Sequence, residues 1–419
     1  SCFDSNVALS SGAVYAHLGT ITLRNCTFSQ NIGQGGLAGA MLVEDSRSVE
    51  VLSSIFRHNY AESGSALVCR NCELSLLSNC SFYDNEAGTH SGGALYLYDG
   101  TAAIYSSLFV RNTARTDGGA IAADQIRNLS ILDNTFDANS ASTGGGSSIW
   151  LSSSPRAHVT GNIFEDNSAP QGGGTVYWKS HTDMKEPFNI SRTNSFADSN
   201  AALYGSSVAT DSYDLKLSDQ NYYTVSDYTT YIPPVTVYVV DYYGTVVASE
   251  SQYQIVAQLL SGVQCHDSTA GFVTGGFIEQ LSNGVAVFDS LLASCDPGYN
   301  MSVDLTCSLP DETLQTFFLL SFRDCVRGEY FGESACIQCE EGTYSLTDPA
   351  TASLDDLGKQ VCQPCPDGSS SCRGDVIELE EGYWRISETA TTTLKCPHRD
   401  SCGGGSDTGD ALCLDGYEG

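Results

Sequence analysis

Ser81-Phe-Tyr-Asp-Asn-Glu-Ala-Gly-Thr-His-Ser-Gly-Gly-Ala-Leu-Tyr-Leu97 is one unit of a repeat. It holds a Phe-x-x-Asn step at Phe82 and Asn85, a small-residue cluster at Gly92-Gly93-Ala94, and an alternating apolar run from Leu95. The same unit recurs at Phe3, Phe28, Phe56, Phe109, Phe136, Phe164 and Phe196, roughly 25 to 28 residues apart with a last step of about 32. Asn6, Asn31, Asn59, Asn112, Asn139 and Asn167 keep the Asn85 position; after Phe196 that offset holds Ser199, and the Asn is Asn200. Self-similarity at such a period marks a solenoid.

The content of one period fixes the kind of solenoid. Runs such as Leu95-Tyr96-Leu97, Leu74-Ser75-Leu76 and Leu129-Ser130-Ile131 alternate with the period of a strand, and Gly, Asn and Asp separate them. At about 3.3 Å per residue, two or three short strands and their turns use up one loop of a coil, and stacked coils repeat at about 4.8 Å. The expectation is a parallel β-helix over residues 1–212, in which neighbouring coils bury the faces that none buries alone.

The stacked columns have distinct expected roles. Phe28, Phe56, Phe82, Phe109, Phe136 and Phe164 fill the interior. Asn31, Asn59, Asn85, Asn112, Asn139 and Asn167 sit at a turn, in left-handed backbone, with their amides bonded to the next coil. The Gly-Ala cluster, seen again at Gly118-Gly119-Ala120 and Gly145-Gly146-Ser147, marks a corner too tight for a side chain. All three roles are architectural.

Phe-x-x-Asn paired with Gly-Gly-Ala-(Ile/Leu) resembles the repeat of polymorphic outer-membrane proteins, also found in large surface proteins of algae and other protists. The resemblance covers about residues 1–212. It implies a right-handed β-helix and surface display or adhesion in place of catalysis.

Fifty acids against nineteen bases give a net charge of −31. Such a chain repels nucleic acid and anionic membrane surfaces, and suits a solvated exterior or loose association with calcium, for which no site is assigned. No stretch is long and apolar enough to span a bilayer. Seventeen cysteines and sequons at Asn25, Asn79, Asn128, Asn189 and Asn300 point to the secretory route, an extracellular or cell-surface location and N-linked glycans. Asn25 and Asn79 both precede a repeat Phe by three residues, so they share a corner of the coil. Opening inside a repeat and closing inside a cysteine module, the sequence reads as a piece of a longer protein.

Within the solenoid, Cys72 with Cys80 is a plausible staple, and Cys2 has Cys26 in the next coil as a candidate partner. Cys26 and Cys80 share a column with Ser54 between them. The residues before the Asn column (Ser5, Gln30, His58, Asp84, Arg111, Ala138 and Asp166) change sign from coil to coil, as a solvated face does; His58, Asp84 and Arg111 are expected to form an ion ladder worth little in water. An insertion at about 175–200 carries Lys179, His181, Asp183, Lys185 and Glu186, and reads first as a capping loop.

Residues 213–234 form a Tyr-rich linker or cap with Tyr213, Tyr222, Tyr223, Tyr228 and Tyr231, ended by Pro233-Pro234. Over 235–324, strand candidates at Val235–Val240, Thr245–Ala248, Tyr253–Leu260, Phe277–Glu279, Gly284–Phe288, Tyr299–Leu305 and Thr316–Phe322 suggest a β-sandwich. The Asp241-x-x-Gly244 turn and Gly284-Val-Ala-x-Phe288 resemble immunoglobulin-like modules of extracellular arrays. One bond is expected among Cys265, Cys295 and Cys307.

From 325 to 419 the texture is loop and cysteine, with Cys325, Cys336, Cys339, Cys362, Cys365, Cys372, Cys396, Cys402 and Cys413. Low apolar content makes disulfides the expected substitute for a core. Cys336-x-x-Cys339 and Cys362-x-x-Cys365 also fit a four-cysteine zinc site. The secreted setting and the further cysteines favour disulfides. Gly342-x-Tyr344 after the first pair, Gly382-Tyr-Trp-Arg385, and Cys396-Pro with Cys402-Gly-Gly resemble ephrin-receptor-like, EGF-related repeats and their protist versions.

Three functions compete. The first is a non-enzymatic structural glycoprotein that self-associates, or joins other extracellular proteins, into a fibre, flagellar hair or coat; an uncovered coil edge would favour such stacking. The second is an adhesin or receptor ectodomain binding glycan or protein. The third is a polysaccharide lyase or glycosidase, which needs clustered acids. Asp133, Asp137, Glu165 and Asp166 are the best local group, and they read as a solvated turn.

Overall fold

The computed structural model describes residues 1–180, 186–187, 190–218, 222–225, 230–259, 265, 272–332, 335–348 and 362–416. Its architecture is the expected one, nearly all β, with a right-handed parallel β-helix followed by sandwich-like sheets and a disulfide-rich region.

Each coil contributes to three parallel sheets. One eight-stranded sheet carries the Phe column, from Cys2–Asp4 through Ser81–Tyr83 to Ser195–Phe196. A second, also eight-stranded, follows each Asn, as at Ile32–Gly33 and Glu86–Ala87. The third has long strands of eleven or twelve residues, such as Met41–Leu52, Leu67–Ser78, Leu95–Tyr105 and Ile121–Leu132. These long strands bend midway, where the register shifts at Gly100/Thr101. The two runs read as separate strands are thus one bent strand.

The eight phenylalanine rings form one file. Successive centroids lie 4.6–5.1 Å apart with interplanar angles of 2–10°. That spacing equals the strand separation, so register alone superposes the rings. Phe28 through Phe164 are fully buried.

The Asn column forms a continuous amide ladder. Asn112 donates through Nδ2 to Asn139 Oδ1 at 3.0 Å and to the Phe82 carbonyl at 3.0 Å. Its Oδ1 accepts from the backbone N–H and Nδ2 of Asn85, at 3.2 and 2.9 Å. Every polar capacity of the buried amide is used. Left-handed backbone lies one residue earlier than expected, at Gln30, His58, Asp84, Arg111, Ala138 and Asp166, with φ between 49° and 54°. This corrects the expected split of roles: the neighbour, exposed or half-buried, makes the turn, which leaves Asn free to point inward. The ladder also passes the irregular last step, because Asn167 Nδ2 donates to Asn200 Oδ1 at 2.9 Å.

At the glycine corner, a Cβ on Gly93 would lie 1.9 Å from the Gly119 carbonyl oxygen and one on Gly119 2.1 Å from that of Ser147. Here the backbones of successive coils press together. The alignment shifts by one residue in the next coil. Gly146 (φ 69°) takes the place of Gly92 (φ 74°) and Gly118 (φ 65°), so Ser147 follows Gly93 and Gly119, and Ser148 follows Ala94 and Ala120.

The described residues form two compact units. The first comprises 1–216 with 237–253 and 280–286, so the Asp241–Gly244 turn is a cap on the solenoid. Trp178 Nε1 donates to Tyr243 Oη at 3.0 Å, and Tyr242 meets the Trp178 ring edge-on at 5.2 Å. Asp241, 1 % exposed, accepts the backbone N–H groups of Tyr243 and Thr245 at 3.0 and 2.8 Å.

The second unit holds sandwich-like sheets. In one, Tyr222–Val225, Thr313–Phe322, Asn300–Ser308, Gln254–Leu259 and Ile278–Gln280 lie side by side. In another, Thr230–Tyr231, Leu291–Ser294 and Phe272–Gly275 do. The Tyr-rich 213–234 segment therefore supplies strands and is more than a linker, whereas Thr245–Ala248 makes only a bridge at Val246. The cysteine-rich end keeps a small core of Tyr344, Leu346, Cys372, Ile377, Leu379 and Leu412.

Candidate functional site: the outward corners, the buried acids and the cysteines

The corner that enters the Phe sheet is left-handed at Asn25, Ser53, Asn79, Ser106 and Asp133, with φ between 46° and 55°. Asn and Asp tolerate this backbone. Asn25 and Asn79 are exposed there, two coils apart, and Asn128 and Asn300 are exposed elsewhere. Asn189 lies outside the described residues.

One residue further along, the chain turns inward and builds a second ladder that the sequence reading did not assign. Ser54 Oγ accepts the Cys26 N–H at 3.2 Å, and Ser107 Oγ accepts the Cys80 N–H at 3.1 Å. Asn134 Oδ1 accepts the Ser107 N–H at 2.9 Å, and Asn162 and Asn194 continue the run. The signal was present in the column two residues before each Phe. Its mixture of Cys, Ser and Asn hid a shared preference for a short side chain that turns inward, with Ser and Asn as the acceptors and the Cys thiols as donors.

The column of changing charge yields one ion pair. Arg111 donates through Nε and Nη2 to the two Asp84 oxygens at 2.7 and 2.9 Å. Among the described residues His58 joins no ion pair, so the expected three-member ladder is a single pair. Such an exposed pair between adjacent coils contributes at most about 1 kcal/mol. Asp133 and Asp166 are left-handed turn residues, whereas Asp137 and Glu165 end adjacent strands of the Phe sheet and lie in register. Of the insertion, residues 181–185 lie outside the described set.

Three acids, Asp117, Asp241 and Glu250, hold their protons more tightly than a free carboxyl does. Burial raises the Asp117 carboxyl, opposed by the Gly145 N–H, which donates to Oδ1 at 2.9 Å, and by the charge of Lys179. Burial also pushes the Tyr177 and Tyr204 hydroxyls up, and Tyr204 donates to the Thr210 carbonyl at 2.8 Å. Burial raises Asp241 and Glu250 as well. These groups bond mainly to backbone and to each other, as a closing plug requires.

The cysteines pair in ways that spacing left open. Cys69 bonds to Cys72, not Cys72 to Cys80, because Cys69 and Cys72 point inward on either side of the left-handed Asn71. Cys80 stays a buried thiol, raised by desolvation, and Cys2 and Cys26 are thiols too, so the Cys2–Cys26 bond is not formed. Cys265 bonds to Cys295, and buried Cys307 stands outside that bond. Four further disulfides join Cys325–Cys336, Cys339–Cys362, Cys365–Cys372 and Cys396–Cys402. The four sulfurs of the zinc pattern are thus spent in three bonds. Cys325, Glu329 and Cys336 also converge, but both sulfurs are bonded and Glu329 holds Arg323 at 2.8 and 3.0 Å.

An open cavity of about 340 Å³ in the cysteine-rich region is lined by Trp384, Ile386, Leu394 and a run of threonines and alanine. It carries no titratable side chain.

Among known families, a model described as right handed beta helix region matches residues 11–196. No curated protein and no solved structure matches the chain. Among the described residues no helix is long and apolar enough to cross a membrane. A β-helix followed by a disulfide-rich region, with six disulfides among the described residues, fits an extracellular structural or binding protein, and β-helices also occur in lyases.

Proposed function

We propose that this protein is a non-enzymatic structural glycoprotein of the cell exterior, built to associate with copies of itself or with other extracellular proteins in a fibre, hair or coat. One observation carries the reading: the Phe file and the Asn ladder run unbroken through eight coils. Each coil is bonded to the next by groups with no spare capacity, which suits a load-bearing element. Two acids support the same reading: Asp84 on the surface is held by Arg111, and the largely buried Asp117 accepts a backbone N–H. Asn25 and Asn79 would place two glycans on one corner.

Electron micrographs of native material test the assembly. Fibres or coats with a regular axial repeat are the expected result, and dispersed single particles at native concentration overturn it. Turnover of pectin or alginate that is abolished by Asp117→Asn would overturn the non-enzymatic part.

A further inference from the structure

Cys402 and Cys413 face each other across a short antiparallel bridge. The Gly403 N–H donates to the Leu412 carbonyl at 2.9 Å, and the Leu414 N–H donates to the Ser401 carbonyl at 3.0 Å. These two bonds flank the cysteines, which makes them a non-hydrogen-bonded pair. In that register the Cα atoms come to about 4.5 Å and the side chains leave on the same face. It is close enough for a disulfide, whose Cα atoms are usually about 4.4–6.8 Å apart. Yet Cys402 is bonded to Cys396, with Cα atoms 6.5 Å apart, while Cys413 is a half-exposed thiol.

We propose that Cys402 is shared between two partners and that thiol–disulfide exchange releases Cys396 as a latent attachment point. The Cys413 thiol gives its proton to solvent, and the thiolate attacks Cys402 Sγ. The Cys402–Cys413 bond forms as the Cys396–Cys402 bond breaks, and Cys396 leaves as a thiolate. One disulfide replaces another, so no oxidant or reductant enters. The leaving sulfur is favoured by its place in the chain, after Lys395 and shortly before Arg399, because nearby cations stabilise a thiolate. Cys396 is half-exposed, whereas Cys402 is 5 % exposed. The exchange therefore moves the free thiol to a site that another chain can reach. There it attacks a disulfide on an extracellular partner, forms a mixed disulfide and expels one partner thiol.

The test uses the full chain, held without reductant at mildly alkaline pH, alkylated, digested and mapped by mass spectrometry, with glutathione disulfide as the probe partner. The expected result is a mixture: Cys402 linked to Cys413 in molecules alkylated at Cys396, beside Cys396–Cys402 in molecules alkylated at Cys413. Glutathione should appear on Cys396, and Cys413→Ser should lower that adduct at least tenfold. Cys396→Ser should give a quantitative Cys402–Cys413 bond. Alkylation of Cys413 alone, a bond from Cys413 to any other cysteine, or a Cys396→Ser chain with both Cys402 and Cys413 alkylated would each overturn the proposal.

Discussion

Asn112 and Asn139 are joined twice, because Asn139 Oδ1 accepts both the backbone N–H and the Nδ2 of Asn112, each at 3.0 Å. The pattern repeats from Asn6 to Asn200, so the side chain does the work that a backbone carbonyl does inside a sheet. Replacing Asn112 by Ala leaves the Asn85 N–H and the Asn85 amide without their partner in a dry interior, and removes one donor from the Phe82 carbonyl. Orphaned buried groups cost about 1–3 kcal/mol each, so a loss of about 3–5 kcal/mol is expected in denaturant unfolding. Asn200→Ala, at the ladder's last position and 5 % exposed, should cost less.

The phenylalanine file makes a parallel prediction. Phe109→Ala removes a fully buried ring that stacks on Phe82 and Phe136, and should cost about 3–5 kcal/mol through lost burial and an unfilled cavity. Phe3→Ala should cost clearly less, since Phe3 is only half-buried and stacks on Phe28 alone. Equal losses at the two positions would refute a graded file.

The parallel coil, the Phe file and the amide ladder were legible because each is one residue type repeated at one offset. Stacking converts that repetition directly into contact. What the sequence concealed was of two kinds. The second ladder mixes Cys, Ser and Asn, so identity gives no period although chemistry does. The cap at Asp241–Gly244 and the Cys69–Cys72 bond depend on where a chain returns in space and on which side of a bend a sulfur points. Neither is encoded in local spacing. Cys72 and Cys80 are near along the strand, yet the bend at Asn71 gives Cys72 a nearer partner.

Asp117 should make stability depend on pH in an unusual direction for an acid. Its folded carboxyl binds a proton more tightly than the unfolded one, because burial disfavours the charge. The stabilisation it gives is therefore fully present below the ordinary carboxyl value near 4 and is lost as pH rises through the higher folded value. Asp117→Asn keeps an acceptor for the Gly145 N–H and removes the titration. The variant should gain stability over the parent as pH rises from about 4, measured as a growing difference in Tm; a constant difference would count against the burial.

The disulfides of the cysteine-rich region carry a prediction that separates them from zinc. Replacing Cys339 and Cys362 together by Ser opens a loop of 23 residues and should cost about 3 kcal/mol. A chelator should leave the thermal transition of the oxidised chain unmoved, whereas a reductant should lower it. The opposite pattern would restore the metal reading of Cys336, Cys339, Cys362 and Cys365.

Ser148 offers a substitution that should strengthen the protein. It stands in register with Ala94 and Ala120, is fully buried, and its Oγ has no hydrogen-bond partner among the described residues. A hydroxyl dehydrated without a partner is a net cost, and the two preceding coils show that a methyl group fits the column. Ser148→Ala should raise stability by about 1 kcal/mol, read as a shift of the denaturant midpoint with unchanged slope. A loss of stability would mean that the hydroxyl has a partner, and with it that the one-residue shift placing Gly146, Ser147 and Ser148 over Gly118, Gly119 and Ala120 is wrong.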